Sequence, residues 1–110
     1  MYEFNKLADD IGIEIMDLKG LYTSFIEEMD SEIMSLQSDI KSGNLKGLQS
    51  TVHNIKGISS NLLINDIYEH CQIFDKELKA ENFQNVRIHM STLESMYKST
   101  RDYIKVFFKI

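Results

Sequence analysis

Apolar residues recur every three or four positions through most of the chain, a spacing that places them on one face of an α-helix. Each apolar run is followed by glycine, asparagine or another residue that favours a helix end. We predict five helices from this pattern, at approximately residues 3–10, 14–41, 45–61, 64–78 and 82–107.

The apolar stripes also identify the residues that we expect in the core. On the second and third helices these are Leu18, Tyr22, Phe25, Met29, Ile33, Leu36, Ile40, Leu45, Leu48, Val52, Ile55, Ser59 and Leu62. On the fourth and fifth helices they are Ile64, Ile67, Cys71, Phe74, Leu78, Phe83, Val86, Met90, Leu93, Tyr97, Thr100, Ile104 and Phe107.

The residues between the stripes predict where helices stop and restart. Gly12 is expected near the end of the first helix, and Gly43 suits the position just after the second. Asn44 and Asn82 are candidate N-caps of the third and fifth helices. Four long amphipathic helices with short connections predict an all-α fold, an antiparallel up-and-down four-helix bundle with a short additional N-terminal helix.

Length and composition agree with one such bundle. The chain has 110 residues, of which 43% are hydrophobic, so we expect a single domain over residues 1–110. It contains no proline and five glycines, which favours long uninterrupted helices over many short strands.

His53 is the residue that carries the strongest chemical signal. It lies one position off the buried stripe of the third helix, about 100° round the axis, where an imidazole can keep its tip in water. Lys56, Gly57 and Ser60 follow on the same face, three, four and seven positions later.

Gly57 is expected to clear the helix surface beside His53. A glycine inside a helix costs about 1 kcal/mol relative to alanine, so it needs a compensating role. Helical side chains lean toward the N-terminus, so a residue at position 57 would otherwise cover the ring. A second macromolecule can then bring an anionic group against His53, while Lys56 neutralises charge on phosphoryl oxygens. Gly57, Ser60 and the neighbouring Asn54 are therefore candidate docking residues.

This constellation resembles the histidine-containing phosphotransfer domains of bacterial and of plant or fungal phosphorelays. Their recurring pattern is His-x-x-Lys-Gly-x-Ser, and it is matched in register by His53, Lys56, Gly57 and Ser59. The resemblance extends from about Asp17 to the C-terminus. Cys71 stands eighteen residues after the histidine, where members often have cysteine. Many members carry glycine ten residues after the histidine, where this chain has Leu63.

The resemblance also implies an orienting partner for the imidazole. In several members a Glu or Gln twenty-two residues after the histidine holds one ring N–H, which fixes the tautomer. Here that position is Asp75, which we expect at the bundle edge facing His53. Because aspartate is one methylene shorter, the contact is expected to be long or water-mediated, with Gln72 as a substitute.

Charge and cysteine content exclude several classes of binding partner and site. The net charge of −5 argues against nucleic acid or an anionic membrane as the main partner. One cysteine excludes an internal disulfide, and no His, Cys, Asp or Glu spacing matches a zinc or calcium motif. We expect a cytoplasmic monomer in which His70 and His89 are solvated surface residues.

The sequence thus predicts a phosphocarrier in which His53 takes a phosphoryl group from a receiver-domain aspartate and passes it to another. We expect no cofactor in this chain, because the resemblance implies that Mg²⁺ and the acidic pocket belong to the partner receiver. A sensor or hybrid histidine kinase is the expected upstream partner, since the chain has no glycine-rich phosphate loop or kinase signature. Two alternatives stay open: a phosphoacceptor domain of a chemotaxis-type or hybrid kinase, and a helical adaptor that binds receivers without being phosphorylated.

Overall fold

The computed structural model describes residues 2–110, and this part of the chain is helical, with no strand. The five helices are α1 (Phe4–Ile11), α2 (Ile15–Ser42), α3 (Leu45–Asn61), α4 (Asn65–Lys79) and α5 (Val86–Phe108). The all-helical prediction is confirmed. None of the helices within residues 2–110 is long and apolar enough to cross a membrane.

The connection between α2 and α3 has the chemistry expected from its sequence. Gly43 adopts the left-handed conformation (φ 71°) that ends α2, a conformation that a glycine reaches without steric cost. The side chain of Asn44 then caps α3, because its Oδ1 accepts a hydrogen bond from the Gly47 N–H at 3.0 Å. Both predictions are confirmed.

The predicted start of the last helix is wrong. Its N-cap is Asn85, and α5 begins at Val86, four residues after the expected cap at Asn82. The backbone N–H of Asn82 instead donates to the Glu77 carbonyl oxygen at 2.9 Å and closes the end of α4. Glu81, in a left-handed conformation (φ 58°), makes this closure possible.

The core forms where the long helices pack against one another. α3 packs against α2 and α4, α5 packs against α4 and α2, and α1 packs against α2. Most predicted core residues are buried, including the complete α4 stripe. Leu45 and Phe83 are corrections: they are 43% and 39% exposed. Leu45 is the first residue of α3, and Phe83 lies in the connection before α5, so neither is enclosed by neighbouring helices.

The end of α3 is fixed by a tyrosine and by an unusual leucine. The Tyr22 hydroxyl of α2 donates to the Leu62 carbonyl oxygen at 2.7 Å. The Ile64 N–H donates to the Ser59 carbonyl oxygen at 2.9 Å, which closes the helix. This closure leaves Leu63 in the left-handed region (φ 58°), where glycine is favoured. Leu63 stands where histidine-containing phosphotransfer domains often have glycine, and its backbone adopts the left-handed conformation that glycine favours.

We expect Leu63→Gly to leave the free energy of unfolding unchanged or to raise it by up to about 1 kcal/mol. The substitution removes a left-handed backbone penalty of about 1–2 kcal/mol, and it also raises the entropy of the unfolded chain. Leu63 is 51% exposed, so little packing is lost. Denaturant unfolding measures the change.

Gly43→Ala is the matched control, because a Cβ at Gly43 would meet no atom within 4 Å and only the backbone is strained. It should destabilise the protein by about 1 kcal/mol. A loss of stability in Leu63→Gly larger than that in Gly43→Ala would show that the side chain of Leu63, rather than its backbone, dominates at this position.

Candidate functional site

The rotation of α3 places His53 on the outside of the protein. Leu48, Val52, Ile55 and Ser59 are at most 1% exposed, so this stripe faces the neighbouring helices. His53 lies one position off this stripe and is exposed, as predicted. Its ring makes no hydrogen bond to another side chain or backbone group of residues 2–110.

Gly57 lies in open space beside His53. A Cβ built at this position would meet no atom within 4 Å, which is ordinary contact distance. No neighbouring helix therefore requires glycine here for close approach. Close approach of a neighbouring helix therefore does not explain the helix-stability cost of Gly57.

The other two candidate docking residues share the exposed face of α3. Ser60 and Asn54 are both exposed. Asn54 lies on the side of this face toward α2, near the Glu32 carboxylate. Burial raises the pKa of Glu32, the nearby Asn54 amide opposes that rise, and the nearby Glu28 adds to it. His53, Asn54, Gly57 and Ser60 thus form a polar exposed face of α3.

Lys56 and Asp75 form an ion pair between α3 and α4. The Lys56 Nζ donates to Asp75 Oδ2 at 3.1 Å. The Asp75 side chain is 3% exposed and that of Lys56 22%. Asp75 is buried, which corrects the expectation that it lies at the edge of the bundle, and its charge partner is Lys56. It makes no direct hydrogen bond to His53, and the expected long or water-mediated contact stays a prediction. The shorter aspartate side chain ends at the lysine between the two helices.

A second lysine, which the sequence reading did not single out, contacts the same oxygen. Lys79 Nζ lies 3.0 Å from Asp75 Oδ2, and the Lys79 side chain is 57% exposed. The available signal was the i, i+4 spacing of Asp75 and Lys79 on one helix. The other carboxylate oxygen, Asp75 Oδ1, is buried and has no hydrogen-bond partner within residues 2–110.

Two opposing effects act on the Asp75 carboxyl. Burial raises its pKa, whereas hydrogen bonds and charge attraction from Lys79 and Lys56 lower it. The lysines outweigh burial, so the pKa of Asp75 lies below its usual 3.8. Asp75 is therefore a charged group at neutral pH, held between two ammonium groups.

His70 and His89 are not solvated surface residues, which corrects that expectation. They lie between α4 and α5 with ring centroids 5.2 Å apart, and His89 stacks on Phe74. His70 Nε2 donates to the His89 carbonyl oxygen at 3.2 Å, and His89 Nε2 contacts the Glu77 carboxylate. Burial lowers the pKa of His70. The Nε2 atoms of His70 and His89 thus make contacts within the protein, whereas the ring of His53 makes none to residues 2–110.

His53 does not line the groove between α2 and α5. A groove of about 740 Å³ runs between α2 and α5, and its lining includes Met34, Tyr97 and Arg101 but no residue of α3. Within residues 2–110, no group of three or more His, Cys, Asp and Glu side chains is arranged to hold a metal ion.

Comparison with known protein families gives one match. The family model described as Hpt domain matches residues 20–103, which include all of α3 and α4 and most of α2 and α5. No curated protein and no solved structure matches the chain significantly.

We expect Asp75→Asn to reduce the free energy of unfolding by about 2 kcal/mol at neutral pH, because it removes the charge that both lysines contact. The folded-state pKa of Asp75 is depressed, so its contribution is present above the usual value of 3.8 and is lost as the pH falls through the lower folded-state value. The stability difference between wild type and Asp75→Asn should therefore shrink below pH 3.8.

Denaturant unfolding across a pH series measures this difference. Asp9→Asn serves as the control, because Asp9 is exposed and makes no ion pair in the described part of the chain. A stability difference that stays constant down to pH 2 would contradict the assigned charge on Asp75.

Proposed function

The chain belongs to the Hpt domain family, and on that premise we propose that His53 carries a phosphoryl group between receiver-domain aspartates. Hpt domains are phosphocarriers with a histidine phosphotransfer role in two-component signalling, in which they interact with receiver domains and histidine kinases. The observation that carries the proposal is the exposed imidazole of His53 on a helix face that Gly57 leaves open.

The reaction needs a ring nitrogen that a partner can reach. His53 is exposed, whereas His70 and His89 are half-buried and bonded between α4 and α5. In the proposed reaction a ring nitrogen of His53 attacks the phosphorus of an aspartyl phosphate, and the aspartate leaves as a carboxylate. Transfer to the next receiver is the same exchange in reverse.

The residues around His53 supply positive charge and a docking surface. Lys56, one helical turn away, supplies positive charge for phosphoryl oxygens and is held in place by Asp75. Gly57, Ser60 and Asn54 form the surface on which a receiver docks. The proposal assigns the divalent metal and the acidic pocket to the receiver, so this chain contributes the nucleophile and the docking surface.

We extend the proposal to the arrangement of the protein. Two residues connect α2 to α3 and three connect α3 to α4, and each long helix packs against its neighbours in the chain. These short connections favour the antiparallel up-and-down order of α2 to α5, with α1 at one end. We propose that this single domain acts as a cytoplasmic monomer.

The first test is the identity of the phosphorylated residue. After incubation with a ³²P-labelled phosphorylated receiver, wild type should gain label that is stable in base and labile in acid, as for a phosphoramidate. His53→Gln should gain none, because it lacks the accepting nitrogen. His70→Gln is the control and should label like wild type. Label retained in His53→Gln would refute the assignment.

The second test separates docking from folding at Gly57. Gly57→Gln should keep or raise the melting temperature, because glutamine has the better helix propensity and the site has open space. It should slow phosphotransfer from a receiver by about tenfold or more, because the new side chain covers the ring and displaces the partner.

Gly20→Gln is the matched control for this test. Gly20 is also an exposed glycine inside a helix, α2, and a Cβ there would likewise meet no atom within 4 Å. It should raise the melting temperature to a similar extent and leave transfer unchanged. Equal transfer rates for the two variants would remove the docking role of Gly57.

A further inference from the structure

Lys79 stands in the last turn of α4 and shares an oxygen with the lysine of the phosphotransfer motif. Asp75 Oδ2 accepts a hydrogen bond from Lys56 Nζ at 3.1 Å and forms an ion pair with Lys79 Nζ at 3.0 Å, so both ammonium groups contact the same oxygen. Asp75 is buried, whereas more than half of the Lys79 side chain is exposed. Lys79 is not part of the sequence motif around His53.

The charges in this cluster do not cancel. One carboxylate faces two ammonium groups, which leaves one positive charge in excess at the junction of α3 and α4, although the whole chain carries −5. One lysine is sufficient to neutralise Asp75. The other is therefore available to a second anion without leaving a buried carboxylate unpaired, which would be costly.

The register of the two helices places Lys79 near the level of His53. Lys56 contacts Asp75 across the α3 and α4 interface. With these helices antiparallel, as proposed above, one turn back along α3 leads from Lys56 toward His53. The equivalent turn forward along α4 leads from Asp75 to Lys79. The Lys79 side chain is 57% exposed and that of Lys56 22%, so Lys79 is the freer of the two to move.

We propose that Lys79 is a second phosphoryl-binding cation of the His53 site and that Asp75 positions Lys79 and Lys56 as a pair. The proposal rests on the function proposed above. When His53 is phosphorylated, roughly two negative charges appear beside this pair. Lys79 then turns to the phosphoryl oxygens, while Lys56 keeps its contact with Asp75 and adds its positive charge beside them. Asp75 is in this account a positioning residue, which acts through the lysines.

The kinetic test compares three lysine variants with a common phosphorylated receiver as donor. Lys79→Gln should lower the phosphorylation rate about tenfold, and Lys79→Arg should stay within about twofold of wild type, because it keeps the charge. Lys98→Gln is the control for a lost surface charge, since Lys98 is exposed on α5, which packs against α2 and α4. It should match wild type. Because Lys79 is largely exposed, all three variants should keep the wild-type melting temperature.

A second measurement does not depend on phosphotransfer. Inorganic phosphate is titrated into unphosphorylated wild-type protein while the side-chain NMR signals of the lysines are followed. Lys79 and Lys56 should shift together and saturably, whereas Lys98 should not. In Asp75→Asn, which checks the positioning role, Lys79 and Lys56 should no longer shift together along one saturation curve, because no carboxylate holds the two ammonium groups side by side.

These outcomes separate the two proposals. Wild type that binds phosphate at Lys79 but takes no label on His53 would refute the proposed function and leave the cation pair standing. Normal labelling of His53 together with a Lys79→Gln rate equal to that of Lys98→Gln would refute the role of Lys79 alone. A Lys79 signal that phosphate does not move would also overturn that role.

Discussion

Burial of one stripe of α3 is the constraint on which the rest of the site depends. Leu48, Val52 and Ile55 are enclosed between α2 and α4, and this fixes the rotation of the helix about its axis. Rotating α3 enough to bury His53 would expose part of that stripe, at about 25 cal/mol for each Å² of apolar surface. A packed core therefore holds a polar ring at a fixed place on the surface, which is what a docking partner needs.

The same rotation creates an electrostatic link between α3 and α4. Lys56 stands at the edge of the buried stripe, so its ammonium group reaches the carboxylate of Asp75 and does not extend freely into water. The charge beside His53 is thus held by a group inside the fold. Such an arrangement reduces the freedom that the lysine must lose when a phosphoryl group arrives, and it ties the chemistry of the site to the packing of two helices.

Sequence periodicity correctly predicted features that depend on one helix alone. It failed where the outcome depends on the packing of two helices or on two alternative cap residues. The stripes and the cap at Asn44 follow from local spacing and local hydrogen bonds. Asn82 and Asn85 are both able to cap, and the closure of α4 through Asn82 decided between them. The partner of Asp75 depends on the separation of α3 and α4 and on one methylene of side-chain length. The enclosure of His89 depends on the rotation of α5 against α4, which one helix's pattern cannot reveal.

The claim that this surface imidazole is the phosphoryl acceptor is tested most directly by NMR of the phosphorylated protein. With ¹⁵N-labelled histidine, coupling between phosphorus and nitrogen identifies the modified ring among the three histidines of the chain. The account predicts coupling to one ring nitrogen of His53, with the ring signals of His70 and His89 free of it. Coupling at His70 or His89, or a phosphorylated protein without phosphorus coupling to any histidine nitrogen, would contradict it.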